Sequence, residues 1–261
     1  MKLNDAKEEI REVAGYLWDR IWCERNGGNI SVMLDDDVSG PDSDPFVEME
    51  VPAEAADLAF YVTQTGGRLR EIRNKPSEVC AVIQFNSKAS GYYIRECDRK
   101  DFRATSEFIS HVMVHLDARK RGSENRCLIH WHPHELIALS HHPELGADED
   151  AFNFSCLSML PEVRAFVPNG MALVPYVISG SRRLGELTVE GFRQRDVVIW
   201  SKHGASACGR TLLEAFDYLD VANKGAAIYL KSLAAGYTPV GMSEAEMEEL
   251  ETVFNLPPYR K

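Results

Sequence analysis

Residues 128–142 read LIHWHPHELIALSHH and hold five of the chain's eight histidines. Imidazole nitrogens bind divalent metals and carry protons near neutral pH. His130 and His132 stand two apart at the end of an apolar run, CLIHWH, where a strand places alternate side chains on one face. Two neutral imidazoles there can share an ion, with Trp131 turned to the opposite side. His134 and Glu135 begin like the helical HExxH zinc motif, but its fifth position is Ala138, so that pairing fails. His141 and His142 fall at the end of the helix that follows Pro133, where a positive charge suits the helix dipole. His111 and His115 are an i,i+4 pair that reads as a surface or core feature of a helix. Two ligands do not hold zinc. The third candidate is His203 in VVIWSKHGAS, which closes another apolar strand just before Gly204; its plainer reading is a turn residue. Three imidazoles leave a coordination position open, the arrangement of catalytic rather than structural zinc.

Three further stretches suit an anion. Asn26-Gly27-Gly28-Asn29 is a glycine turn whose backbone N–H groups can form a nest. Thr65-Gly66-Gly67 is a second glycine turn after a strand, with the cation Arg68 beside it. Thr105 and Ser106 stand at a predicted helix start, where hydroxyls, unpaired N–H groups and the dipole attract phosphate. Each alone is commonly only a turn or a cap. Together, in a chain of formal net charge −11, they point to a phosphorylated small substrate. Glu107 follows the Thr-Ser pair. It reads either as a carboxylate favouring the helix N-terminus or, beside a metal, as a general acid or base.

The elements that must position these residues are legible as patterns. Residues 3–22 place Ile10, Val13, Ala14, Leu17 and Ile21 at helical spacing. ISVML, FYVTQ (60–64), CAVIQF (80–85) and GYYIREC (91–97) read as strands between turn residues. A helix capped by Thr105 or Ser106 runs to about Lys120, with Phe108, Ile109, Val112, Met113 and Leu116 on one face. Pro133 opens the next helix at its first position. Further helices are predicted over 148–159, 210–232 and 243–253, with MALVPYV and DVVIWS as strands. No repeat, linker or break in composition divides the sequence. The reading is one domain over residues 1–261, of mixed α/β (α+β) class, with a mostly antiparallel sheet flanked by helices. The acidic loop DDDVSGPDSDP matches the first half of an EF-hand at Asp35, Asp37, Ser39 and Gly40. The bidentate Glu is replaced by Phe46, so the loop reads as solvated.

Composition bounds the rest. With 261 residues, 44% hydrophobic and 26% charged, the chain can bury a full core. Its acidity argues against nucleic-acid and anionic-membrane binding. Six scattered cysteines without a CxxC pair read as reduced core residues of a cytoplasmic protein. The charged, amphipathic N-terminal stretch does not read as a signal peptide. No apolar run reaches the length of a membrane span.

ERNGGN, ATSEF, LIHWHPHELIAL, PEVRAFVPNG and WSKHGASACG occur in the order found in the class II aldolase/adducin family, which this chain resembles from about residue 10 to about residue 235. The resemblance implies a class II aldolase-like fold and a cytoplasmic homotetrameric enzyme with one zinc per subunit and active sites near subunit interfaces. The implied reaction is reversible cleavage of a sugar phosphate, here L-rhamnulose 1-phosphate, to dihydroxyacetone phosphate and L-lactaldehyde. Matched position by position, His130, His132 and His203 are its zinc ligands and Glu107 its catalytic carboxylate. Glu162, in PEVRAFVPNG, matches a second acidic residue near the metal. Asn26, Gly27, Gly28 and Asn29, with Thr105 and Ser106, match the phosphate site. One departure stands out: the family's loop serine between glycines is replaced by Thr65-Gly66-Gly67. Relatives acting on L-fuculose phosphate, pentulose-phosphate 4-epimerases and non-catalytic adducin-like modules are the alternatives.

Overall fold

The computed structural model describes residues 1–258. The strands lie in a nine-stranded sheet of order β2-β5-β4-β3-β1-β6-β9-β8-β7. Their bounds are β1 (Asn29–Met33), β2 (Phe46–Glu48), β3 (Ala59–Thr63), β4 (Cys80–Phe85), β5 (Gly91–Glu96), β6 (Cys127–Trp131), β7 (Met171–Val174), β8 (Val197–Trp200) and β9 (Gly204–Gly209). β7 and β8 run parallel, while the other pairings described are antiparallel. This is the mixed α/β class with a mostly antiparallel sheet. By its contacts the chain divides into two compact units.

The first unit comprises residues 1–131, 178–189 and 208–215. Helix α1 (Leu3–Asp19) buries Ala6, Ile10, Val13, Ala14 and Leu17, each large apolar side chain contributing about 1.5–3 kcal/mol. It ends earlier than its periodicity predicts. Ile21 adopts φ +61° and is 73% exposed, outside the apolar face assigned to it. Antiparallel pairing joins β2, β5, β4, β3, β1 and β6 in succession. A short helix, α2 (Pro76–Val79), leads into β4. Helix α3 (Phe108–Lys120) buries Phe108, His111, Val112, Val114, His115 and Ala118, so apolar and polar faces alike are enclosed. Phe108 sinks into a cluster with Phe60, Phe85 and Tyr92, at ring separations of 5.5–6.4 Å. The acidic loop after β1 makes local and chain-pinning contacts. Asp35 pairs with the N-terminal amine and Arg126, Asp44 with Arg95, and Asp37 accepts from Ser39.

The second unit comprises residues 132–177, 190–207 and 216 onward. It contains α4 (His134–Ser140), α5 (Glu149–Leu157) and α6 (Pro161–Phe166). The helix α7 (Arg182–Phe192), not anticipated from the sequence, begins in the first unit and ends in the second. α8 (Leu212–Ala234) likewise starts in the first unit, and α9 (Glu244–Phe254) completes the order. Pro133 is the residue before α4 rather than its first. Asp148 caps α5 by accepting from Asp150 N and Ala151 N, and Ser243 forms a reciprocal capping box with Glu246 on α9. Arg164, fully buried in α6, donates to Glu251 on α9 and to Pro168 O.

The cysteines are unbridged; all but Cys97 are buried. Burial pushes the Cys80, Cys127 and Cys208 thiols well up, which suits inert core residues. Among the described residues no helix is long and apolar enough to cross a membrane.

Candidate active site

The register of β1 assembles one end of the first unit. Asn29 pairs with His130 on β6, and Ser31 pairs with Val62 on β3. The Asn26–Gly28 turn therefore precedes β1 at the sheet end where β6 delivers His130 and where β3 runs out into Gln64 and Thr65. Ile30 N donates to Thr63 Oγ1 at 3.0 Å, locking that end of β1 to β3. A bridge between Gln64 and Ala104, with Thr105 N donating to Thr63 O at 2.9 Å, brings the Thr105-Ser106 segment to the same place. Tyr92 OH accepts from Ala104 N at 2.9 Å, so the aromatic cluster holds this segment from below. Three stretches far apart in sequence thus share one sheet end.

Gly28 is required in its turn. It has φ +78°, and a Cβ there would lie 2.4 Å from the Trp131 ring and 2.9 Å from His130 O. The chain passes so close to β6 that only hydrogen fits. In the second glycine turn, Thr65 N donates to Arg103 O and Gly67 N to Gln64 O, while Thr65 and Gly66 are exposed.

Glu107 is buried at the residue before α3, and its side chain makes no capping bond. Neither Thr105 nor Ser106 is the N-cap; Thr105 Oγ1 instead accepts from Glu107 N at 3.4 Å. The Glu107 carboxylate turns toward the sheet end. Its Oε2 accepts from Asn29 Nδ2 at 2.7 Å and lies 3.7 Å from His130 Nε2. Its Oε1 accepts from the Ser179 hydroxyl. Ser179 arrives because Gly180, at φ +73°, packs against Ser106 O, where a Cβ would come within 2.7 Å. Nothing in the local sequence marks Ser179 as a partner of Glu107; the signal lies in a contact 72 residues distant.

Asn29 Oδ1 meets His111 Nε2 at 2.5 Å. His111 Nδ1 meets Ser31 Oγ at 2.7 Å, and the same hydroxyl meets His115 Nε2 at 2.8 Å. The α3 histidines are therefore core residues. Burial away from water, with His115 beside it, pushes His111 down to about 3. Burial, with the positive charge of Arg126 next in weight, does the same to His115. Both imidazoles are neutral at physiological pH.

In the second unit, His203 ends the three-residue connection from β8 to β9, in which Lys202 has φ +67°. His203 N donates to Trp200 O at 2.9 Å, and Lys202 N donates to Ser140 Oγ at the end of α4. His203 is thus a turn residue by backbone, and the turn aims its ring at a partner: the His132 and His203 ring centroids lie 5.3 Å apart. Asn223 holds the start of α4, accepting from Leu136 N and donating to Glu135 Oε2. His134 and His141 are exposed, and His142 Nδ1 accepts from Glu144 N and Leu145 N. Glu162 is exposed in the first turn of α6.

One ligand atom from each of His130, His132 and His203 lies within 4.8 Å of the others, and among the described residues no other set of histidine, cysteine or carboxylate groups comes together so. Three imidazoles, with no fourth ligand grouped with them among the described residues, fit a divalent ion of zinc type with an open coordination position.

The chain belongs to the class II aldolase and adducin family: the domain described as Class II Aldolase and Adducin N-terminal domain matches residues 8–230. Among curated relatives, a rhamnulose-1-phosphate aldolase of Bacteroides thetaiotaomicron is 37% identical over 97% of this chain and 96% of its own. A protein of the same name from Listeria welshimeri is 28% identical over 96% of this chain and 92% of its own. Among solved structures, a sugar-phosphate aldolase from Thermotoga maritima aligns with a TM-score of 0.76 and 30% identity, over 92% of this chain and 99% of that one.

Proposed function

We propose that this protein is a zinc-dependent aldolase that cleaves L-rhamnulose 1-phosphate to dihydroxyacetone phosphate and L-lactaldehyde. The observation that carries the reading is the buried Glu107 carboxylate 3.7 Å from His130, itself one of three clustered imidazoles. Near-complete coverage by relatives named for that activity supports the choice of substrate. His130, His132 and His203 would hold the ion. When bound, zinc supplies Lewis-acid stabilisation for the negative charge left on the ketone-derived fragment as the C3–C4 bond breaks.

Glu107 carries the proton to and from that fragment's carbon at the broken bond. Asn29 and Ser179 hold its two oxygens in place. The Asn26-Gly27-Gly28-Asn29 turn, the Thr65-Gly66-Gly67 turn and the Thr105-Ser106 segment receive the phosphate through backbone N–H groups and hydroxyls, the Asn29 side chain being engaged by Glu107 and His111. Binding the phosphate at a distance orients the reacting carbons. Thr65, at the tip of its turn, takes the part of the family serine. Glu162 enters as a second carboxylate whose contribution Glu162→Gln measures. The chain works as a single catalytic domain over 1–261, assembled as a cytoplasmic homotetramer; sedimentation of the purified protein tests the assembly.

The decisive experiment is an assay of purified protein against a panel of ketose 1-phosphates, following aldehyde release and epimer formation separately. Aldehyde release from L-rhamnulose 1-phosphate, stopped by chelator and restored by zinc, is the expected result. Activity insensitive to chelator, or loss of activity on borohydride treatment with substrate, would overturn the metal reading in favour of a lysine Schiff base.

A further inference from the structure

The buried polar groups behind Glu107 form one continuous chain from His115 through Ser31, His111 and Asn29 to the carboxylate. Its four links measure 2.8, 2.7, 2.5 and 2.7 Å. Asn29, Ser31, His111 and His115 are all at most 7% exposed, so water does not compete for their bonds. An apolar core would be the simpler use of this volume, since each buried polar group costs free energy unless its bonds are made. Here every link is made, and the chain ends on the one carboxylate assigned to proton transfer.

The direction of each proton follows from that end. Asn29 presents its amide nitrogen to the Glu107 carboxylate and its oxygen to His111. That oxygen accepts, so His111 carries its proton on Nε2. Its Nδ1 is then a lone pair, and the Ser31 hydroxyl must donate to it. The Ser31 oxygen accepts in turn from His115, which carries its proton on Nε2 as well. The neutral state of both rings leaves one proton on each, as this scheme needs.

We infer that Ser31, His111 and His115 are positioning residues that fix the Asn29 amide in the orientation in which it donates to Glu107, and so hold the carboxylate toward the reacting carbon. The inference rests on the proposed role of Glu107. None of the three touches substrate. Their contribution is to prevent the Asn29 amide from rotating, which would set its oxygen against a carboxylate oxygen and push Glu107 away.

Two measurements test this. In zinc-loaded protein labelled with ¹⁵N-histidine, long-range ¹H–¹⁵N correlations report the tautomer of each ring directly. Nε2–H is expected at both His111 and His115; Nδ1–H at His111 would reverse the chain and overturn the inference. This measurement needs no variant and stands even if substitutions fail to fold.

The second compares His111→Leu with His111→Gln, whose amide nitrogen can take the place of Nε2. Substrate turnover and solvent-deuterium uptake into dihydroxyacetone phosphate are both followed. His111→Leu is expected to lower both rates about tenfold, the scale of one lost hydrogen bond between neutral groups. KM is expected to stay within about twofold, because ground-state binding is untouched. His111→Gln is expected to recover most of the loss. Equal rates in the two variants, whether both low or both normal, would reduce His111 to a packing residue and overturn the inference. Near-normal exchange in Glu107→Gln would instead remove the parent reading, and with it the catalytic purpose of the chain, while the tautomers stayed as assigned.

Discussion

Asn29 Nδ2 donates to Glu107 Oε2 across 2.7 Å, joining the first residue of β1 to the residue before α3. This bond takes the carboxylate away from the exposed amide groups of its own helix. Its consequences separate a catalytic Glu107 from a helix-capping one.

Glu107→Gln is expected to lower kcat by roughly 10²–10⁴-fold, the span for a lost general acid–base group. Because the native carboxylate makes no capping bond, zinc content and melting temperature should stay near those of the parent. A variant with normal kcat and a lowered melting temperature would return Glu107 to a structural role and leave Glu162 as the first candidate for proton transfer.

Replacing His130, His132 or His203 by alanine is expected to abolish both stoichiometric zinc binding and activity, since two remaining imidazoles do not hold the ion. His134→Ala, at an exposed position outside the group, should keep its metal. Metal analysis after dialysis decides the matter. Full zinc in His203→Ala, or loss of zinc in His134→Ala, would refute the ligand set.

His111 and His115 predict an acid-labile fold. In the unfolded chain they titrate near pH 6.5, whereas in the fold they are pushed down to about 3. Between those limits the unfolded state binds more protons. The stability they contribute is fully present above pH 6.5 and is lost as pH falls toward 3. Each should cost up to about 1.4 kcal/mol per pH unit inside that window. Urea midpoints from pH 7 to 4 measure this, and His115→Phe should reduce the slope. Stability that stayed level between pH 6 and 4 would contradict it.

Two glycines with positive φ should respond differently to alanine. At Gly66 a Cβ meets nothing within 4 Å, so only backbone strain of about 1–2 kcal/mol is expected. Gly28→Ala adds a collision with the Trp131 ring and the His130 carbonyl. It should lose more stability and also zinc affinity, because β6 carries His130. Equal losses in the two variants would show that the close approach at Gly28 is not constraining.

Much of the fold was legible because it is local. Short runs rich in apolar residues, bounded by turn residues, marked β3, β4 and β5, the apolar run CLIHWH marked β6, and helical spacing marked α1. Strand geometry at the end of CLIHWH puts two imidazoles on one face without any tertiary contact. Other local rules were overruled. Ile21 fits the α1 periodicity, yet the chain turns there with positive φ and exposes it. β9, GASACG, carries no strand-forming residue types and is a strand because it pairs with β8.

By itself, the sequence determined the residue types and the neighbour relations that bonded geometry enforces: the HxH pair, the glycine turns and the carboxylate beside the Thr-Ser pair. Only the tertiary structure decided which of these meet. The β1 register sets Asn29 opposite His130, so that its side chain reaches Glu107 across 78 residues of sequence. The β8–β9 turn brings His203 to His132, and Gly180 lets Ser179 reach Glu107. His111 and His115, polar residues on a helix, became core because β1 offered Ser31 and Asn29 as partners. Such pairings depend on which strand lies beside which and in what register. That choice is made by the packing of the whole sheet, and no window of the sequence contains it.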